Sequence, residues 1–96
     1  MSDPTLLILA SLAGGDKHGY AMLEDIDCFA GVHLGPGTLY GAITRLEQCG
    51  LICPVKSVDR RRQPYTLSAN GRRYLREELS KLNPVVKTGL KRLSHA

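Results

Sequence analysis

The chain has 96 residues, 43% of them apolar and 23% charged. That is the size of one domain, since single domains run about 100–150 residues, and it excludes a multi-domain enzyme. One Phe, four Tyr and no Trp point to an aliphatic core. The net charge of +4 is concentrated: Lys17 and Arg45 face six acids before residue 56, seven bases face only Asp59 over residues 56–76, and four bases face two acids after that. Such a local basic cluster is the footprint of a polyanion, nucleic acid being the commonest, or else a solvated charged loop.

The longest apolar runs, Leu6 to Ala10 and Val85-Val86, fall short of the roughly 18–20 residues of a membrane span. Met1-Ser2-Asp3-Pro4 carries no basic n-region, so the expected location is the cytoplasm, with no membrane partner. Three cysteines, Cys28, Cys49 and Cys53, make an odd number, which argues for reduced thiols. Their simplest role is that of small buried apolar side chains.

Asp3-Pro4 suits the start of a first helix, Asp3 as cap and Pro4 at its first position, with Leu6, Leu9, Ala10 and Ala13 at helical spacing until Gly14-Gly15. Asp16 can cap a second helix to about Ala30, with Leu23, Ile26 and Ala30 on its apolar side and Gly31 as its stop. Pro36 opens a third helix in which Leu39, Ile43 and Leu46 form a stripe ending at Gly50. Its opposite face holds Gly37, Gly41, Thr44, Arg45 and Gln48, with Thr38 at the margin. A face so small and polar can approach a DNA major groove closely.

After Gly50 the period changes. Residues 51–56 and 63–67 read as two strands joined by Ser57-Val58-Asp59-Arg60-Arg61-Arg62, a basic hairpin whose Pro54 and Pro64 suit edge strands. Ser68 is a fitting cap for a fourth helix carrying Arg72, Arg73 and Arg76, with Leu75, Leu79 and Leu82 on one side. An interior proline costs about 3 kcal/mol in a helix, so Asn83-Pro84 is expected to restart it. The last piece puts Val85, Val86, Gly89, Leu90 and Leu93 on one apolar face. Too short to be stable alone, it needs a partner, either the first helix or its own copy in a second chain.

The fold expected is thus mainly α with a small two-stranded β wing: a winged helix-turn-helix over residues 1–82 and a short C-terminal dimerisation helix over residues 83–96. Three blocks resemble the PadR family of bacterial winged-helix transcriptional regulators. They are His18-Gly19-Tyr20, then Gly35-Pro36-Gly37-Thr38-Leu39-Tyr40 continuing through Leu46-Glu47 to Gly50-Leu51, and Tyr65-Thr66-Leu67-Ser68-Ala69-Asn70-Gly71. The middle block is the specific one, and the resemblance spans roughly residues 5–80.

The resemblance implies a transcriptional regulator, usually a repressor, that binds palindromic double-stranded DNA as a homodimer through its C-terminal helices. Gly37 and Thr38 would open the recognition helix, where free backbone donors meet phosphate or base edges. Tyr40 and Tyr20 suit phosphate contacts through their hydroxyls, with a half-buried core place as the alternative. Arg62 matches the family's basic residue near the end of the wing, and Arg60 and Arg61 form its tip. The chain departs from the family at Gly35, Gly41 and Thr44, where Ser, Pro and a basic residue are frequent, so Arg45 and Gln48 are the long side chains left to reach the groove. Arg45 can also pair with an acid or stay solvated. The dimer surface would comprise Val85, Val86, Leu90 and Leu93, with Leu6 and Leu9 recruited from the first helix.

Some relatives hold aromatic effectors through a tryptophan in the last helix; this chain has no Trp, so that activity is not carried over, no cofactor is expected, and a small-molecule effector stays unidentified. Two rival readings differ in class. One is a metal- or thiol-responsive regulator using Cys49 and Cys53, although a CxxxC spacing is not that of a zinc finger and no metal ligand set is expected. The other is a winged-helix module that binds protein. Catalysis is not expected: His18, His33 and His95 lack any triad spacing, and no phosphate loop is present.

Overall fold

The computed structural model describes residues 4–59 and 61–95. Asp3, expected as the first cap, and Arg60, expected at the wing tip, lie outside the described residues. The elements follow as α1 (Thr5–Ala13), β1 (Lys17–His18), α2 (Gly19–Ala30), α3 (Pro36–Gln48), β2 (Ile52–Pro54), β3 (Pro64–Leu67) and α4 (Ala69–Ser94).

The core is aliphatic, as composition required. Ile8, Leu9 and Leu12 of α1 meet Met22 and Ile26 of α2, Leu39, Ala42, Ile43 and Leu46 of α3, and Ile52, Leu67 and Leu75. In α3 the stripe read from the sequence is the buried face. In α1 the face is rotated: Ile8, Leu9 and Leu12 are buried, Leu6 and Ala10 are half-buried, and Ala13 is exposed. Leu9, expected to join a dimer surface, is instead fully buried in the chain's own core. The buried Ser11 is satisfied: its Oγ donates to Asp25 Oδ2 at 2.7 Å, and Lys17 Nζ donates to the Ser11 carbonyl at 2.5 Å while lying 3.9 Å from Asp25. This network fastens α1, β1 and α2 to one another without leaving a buried polar atom unpaired.

Asp16 does not cap α2. The chain first pairs Lys17 and His18 with the wing, so the helix begins later and His18 is its cap, with Nδ1 accepting from the Ala21 N–H at 3.4 Å. Gly31, at φ 65°, ends the helix as expected. Its buried face is Met22 and Ile26 with Leu23 half-buried, and Ala30 is exposed.

The expected two-stranded wing is part of a three-stranded antiparallel sheet ordered β1-β3-β2. Lys17 faces Tyr65 and His18 faces Pro64 on one side of β3, while Ile52 faces Leu67 and Pro54 faces Tyr65 on the other. Pro54 lies on an edge strand. Pro64 lies in the central strand, tolerated because it is the first residue there, where the missing N–H interrupts no continuing ladder.

Ser68 caps α4 as expected, accepting from Gly71 N–H at 2.9 Å and donating to the Gly50 carbonyl at 2.6 Å. Gly71 is required by close approach, since a Cβ there would overlap the Leu51 carbonyl oxygen. The expected restart at Asn83-Pro84 does not occur: α4 is one helix of 26 residues with Pro84 inside it. Ser80, whose carbonyl loses its partner at Pro84, is exposed and open to water, which lowers the cost of the missing bond. Only Gly71 and Leu75 of α4 are buried, so the rest of the helix leaves the core and gives a molecule 54 Å long against 26 and 21 Å. The cysteines also differ from expectation, as Cys28, Cys49 and Cys53 are all exposed.

Candidate nucleic-acid interface

α3 opens with a proline at its first position and no side-chain cap, and Gly35 to Thr38 are exposed. Gly37, Thr38, Gly41, Thr44, Arg45 and Gln48 are all exposed, so the polar face read from the sequence is the outer face. Thr44 spends its hydroxyl proton locally, donating from Oγ1 to the Tyr40 carbonyl at 3.0 Å, which leaves it an acceptor toward any partner.

The wing turn is organised by Asp59. Its Oδ1 accepts from Arg61 N–H at 2.9 Å and its carbonyl from Arg62 N–H at 3.3 Å. Gln63 braces the base of the wing, with Nε2 donating to the carbonyls of Val55 and Pro64 at 2.9 and 2.7 Å. Val58 stands fully exposed beside the arginines.

Between the start of α2, α3 and the wing lies a cleft of about 310 Å³ lined by His18, Gly19, Tyr20, Tyr40, Arg61, Arg62, Gln63 and Tyr65. A Cβ at Gly19 would overlap the ring and hydroxyl of Tyr40, so this glycine lets α3 and α2 close around the tyrosine. Tyr20 and Tyr40 are 62% and 44% exposed, which places both as surface groups rather than core ones. Burial raises the Tyr65 hydroxyl above its ordinary pKa, with Glu47 and then Tyr40 adding to the effect, so it stays protonated and neutral. Arg62 Nη1 lies 3.3 Å from His18 Nε2.

Of the residues singled out from the sequence, Tyr20, Tyr40, Arg61 and Arg62 therefore meet in one cleft, and Thr38, Arg45 and Gln48 lie along the exposed face of α3. His18 and Tyr65 belong to the blocks that carry the family resemblance and Gln63 to an expected strand, but none of the three was given a place in the site. Their place depends on the pairing of β1 with β3, a contact between distant segments with no local signal. Val85, Val86, Leu90 and Leu93 are 53–74% exposed, and Leu6 packs partly on the core. Cys49 and Cys53 are exposed, and among the described residues no group of three or more His, Cys, Asp or Glu converges as a metal site. No helix among them is long and apolar enough to cross a membrane.

The model of the transcriptional regulator PadR-like family matches residues 8–77. The chain belongs to that family. Among solved structures, a PadR family transcription regulator from Clostridium difficile is similar with a TM-score of 0.82 at 24% identity, covering 96% of this chain and 99% of that one. Bacillus subtilis PadR in complex with operator DNA is similar with a TM-score of 0.70 at 21% identity, covering 78% of this chain and 45% of that one. An uncharacterised 37.1 kDa protein in a transposon of Streptomyces fradiae is 43% identical over 77 residues, which is 80% of this chain. The chain spans 22% of the length of that relative. In this PadR-like chain the family match takes in α2, α3, the wing and the start of α4, and stops before the exposed apolar stretch from Leu79 onward.

Proposed function

We propose that the chain is a sequence-specific DNA-binding regulator, acting as a repressor in the cytoplasm and reading a palindromic operator as a homodimer. The observation that carries the reading is the cleft itself. Two wing arginines and two tyrosines converge beside the exposed polar face of α3, so phosphate-directed and base-directed groups share one side of the molecule. α3 enters the major groove, Arg45 and Gln48 reach base edges, and Arg61 and Arg62 lie on the backbone. The regulators of this family supply the prior, and the B. subtilis structure with operator DNA shows a protein of this fold on such a ligand.

The dimer surface is assigned to residues 83–96, where Val85, Val86, Leu90 and Leu93 are exposed on the part of α4 that lies beyond its last buried residue, Leu75. Two α3 helices would then meet half-sites about 34 Å apart. The test is fluorescence-anisotropy binding to the DNA upstream of the protein's own reading frame at about 0.15 M salt. A preference of roughly 10³-fold over a scrambled duplex supports the reading. Equal and weak binding to both overturns it and turns attention to protein partners.

A further inference from the structure

The cleft between α2 and the wing is rich in hydrogen-bond donors. His18 caps α2 by accepting the Ala21 N–H on Nδ1 at 3.4 Å. A neutral imidazole has one acceptor nitrogen, so with Nδ1 accepting the proton sits on Nε2. Nε2 faces Arg62 Nη1 at 3.3 Å, and a guanidinium has donors only. In this capping tautomer Nε2–H and the guanidinium are both donors, whereas in the other tautomer Nε2 accepts from Arg62. Among the described residues lining the cleft there is no carboxylate, while Arg61 and Arg62 bring positive charge and Tyr20 and Tyr40 bring hydroxyls. Tyr65, held protonated, adds no negative charge. A cleft with these cations and hydroxyls and no carboxylate in its lining suits an oxyanion.

We infer that His18 and Arg62 together grip a single phosphate oxygen, with His18 as a DNA-binding residue that also positions Arg62. This rests on the DNA reading above and deepens it. The geometry suits the task, because β1 holds His18 opposite Pro64 in the sheet and Arg62 lies just before that strand. Both donors are therefore set by one piece of backbone pairing. A phosphate oxygen accepting from both would complete the pair with charge-assisted bonds. The same chemistry is offered by a DNA backbone phosphate and by free inorganic phosphate, and the two arms of the test separate them.

The informative variant is His18→Asn, since Asn is a favourable helix cap and keeps the Ala21 bond but is too short to present a donor beside Arg62. Unchanged thermal unfolding and circular dichroism establish that it folds. In the first arm, inorganic phosphate is titrated into the wild-type chain while the His18 ring and Arg62 guanidinium nitrogens are followed by NMR. Saturable shifts at both, lost in His18→Asn, are expected. In the second arm, binding to the operator duplex is measured for wild type, His18→Asn, Arg62→Gln and the double variant.

The expected loss for His18→Asn is roughly tenfold or more. Arg62→Gln lowers the slope by about one unit, and the double variant loses less than the two singles combined because both serve one phosphate. A duplex with a methylphosphonate at that one position binds wild type and His18→Asn equally. Shifts with phosphate but unaltered DNA affinity in His18→Asn assign the site to free phosphate. Absence of shifts together with DNA affinity unaltered in His18→Asn overturns the proposal. A wild-type chain that binds no duplex overturns the DNA reading alone, and the phosphate arm still decides the site.

Discussion

The ring and hydroxyl of Tyr40 on α3 occupy the space that a side chain at Gly19 on α2 would need. The pair sets both the angle between the two helices and the wall of the cleft. Gly19→Ala is favourable for helix propensity yet forces Tyr40 outward, and because that ring is half-exposed and can turn toward solvent the variant is expected to lose about 1 kcal/mol of stability or less. Adding Tyr40→Ala should recover part of that loss. Urea unfolding of the single and double variants measures the coupling, and additive losses would contradict the contact.

The junction between wing and α4 rests on Ser68, which serves the Gly71 N–H and the Gly50 carbonyl at once. Ser68→Ala is expected to cost about 1–2 kcal/mol, read as a lower urea midpoint at constant slope. Gly71→Ala should cost more, because its Cβ meets a backbone carbonyl that has no rotamer by which to step aside. Equal midpoints for the two variants would contradict this ranking.

Tyr65 gives the stability a dependence at alkaline pH. Its folded pKa is raised, chiefly by burial, so between the unfolded value near 10 and the higher folded value the unfolded chain releases a proton that the folded chain retains. Stability from this group is therefore complete below about pH 10 and is lost as pH rises through the folded pKa. Tyr65→Phe should flatten this part of the curve of unfolding free energy against pH. An unchanged slope above pH 10 in that variant would refute the assignment.

Nothing in α4 beyond Leu75 is buried, so substitutions there should alter assembly without unfolding the domain. If the proposed homodimer forms through this face, Val86→Glu with Leu90→Glu converts it to a monomer in light scattering, with thermal unfolding of the monomer still cooperative. DNA affinity should fall steeply with protein dilution. A variant that stays dimeric would move the interface elsewhere.

How much could be read in advance depended on contrast within each element. In α3 three apolar positions stand against glycine, threonine and charged neighbours, so its limits, buried stripe and outer face all followed from the pattern. α1 has no such contrast: with Leu6, Leu7, Ile8 and Leu9 in succession, several faces are equally apolar, and packing against α2 and the sheet chooses Ile8, Leu9 and Leu12. β1 is two residues long, below any periodicity, and it displaced the start of α2 from Asp16 to His18. The helix runs through Pro84 instead of restarting because solvent can serve the orphaned carbonyl of Ser80, a compensation that local propensity does not contain. At the candidate site, the wing arginines were legible as a basic hairpin and the tyrosines came from resemblance to a family, whereas His18, Gln63 and Tyr65 take their places from long-range pairing.

β1 has a consequence out of proportion to its two residues. A lone two-stranded hairpin is marginally ordered in water, and its arginines would sample many directions. Clamped along β3 by Lys17 and His18, the base of the wing is already held beside α3 before any ligand arrives. The conformational entropy of that arrangement is surrendered during folding, so the arm is preorganised and more of each contact it makes is retained as affinity.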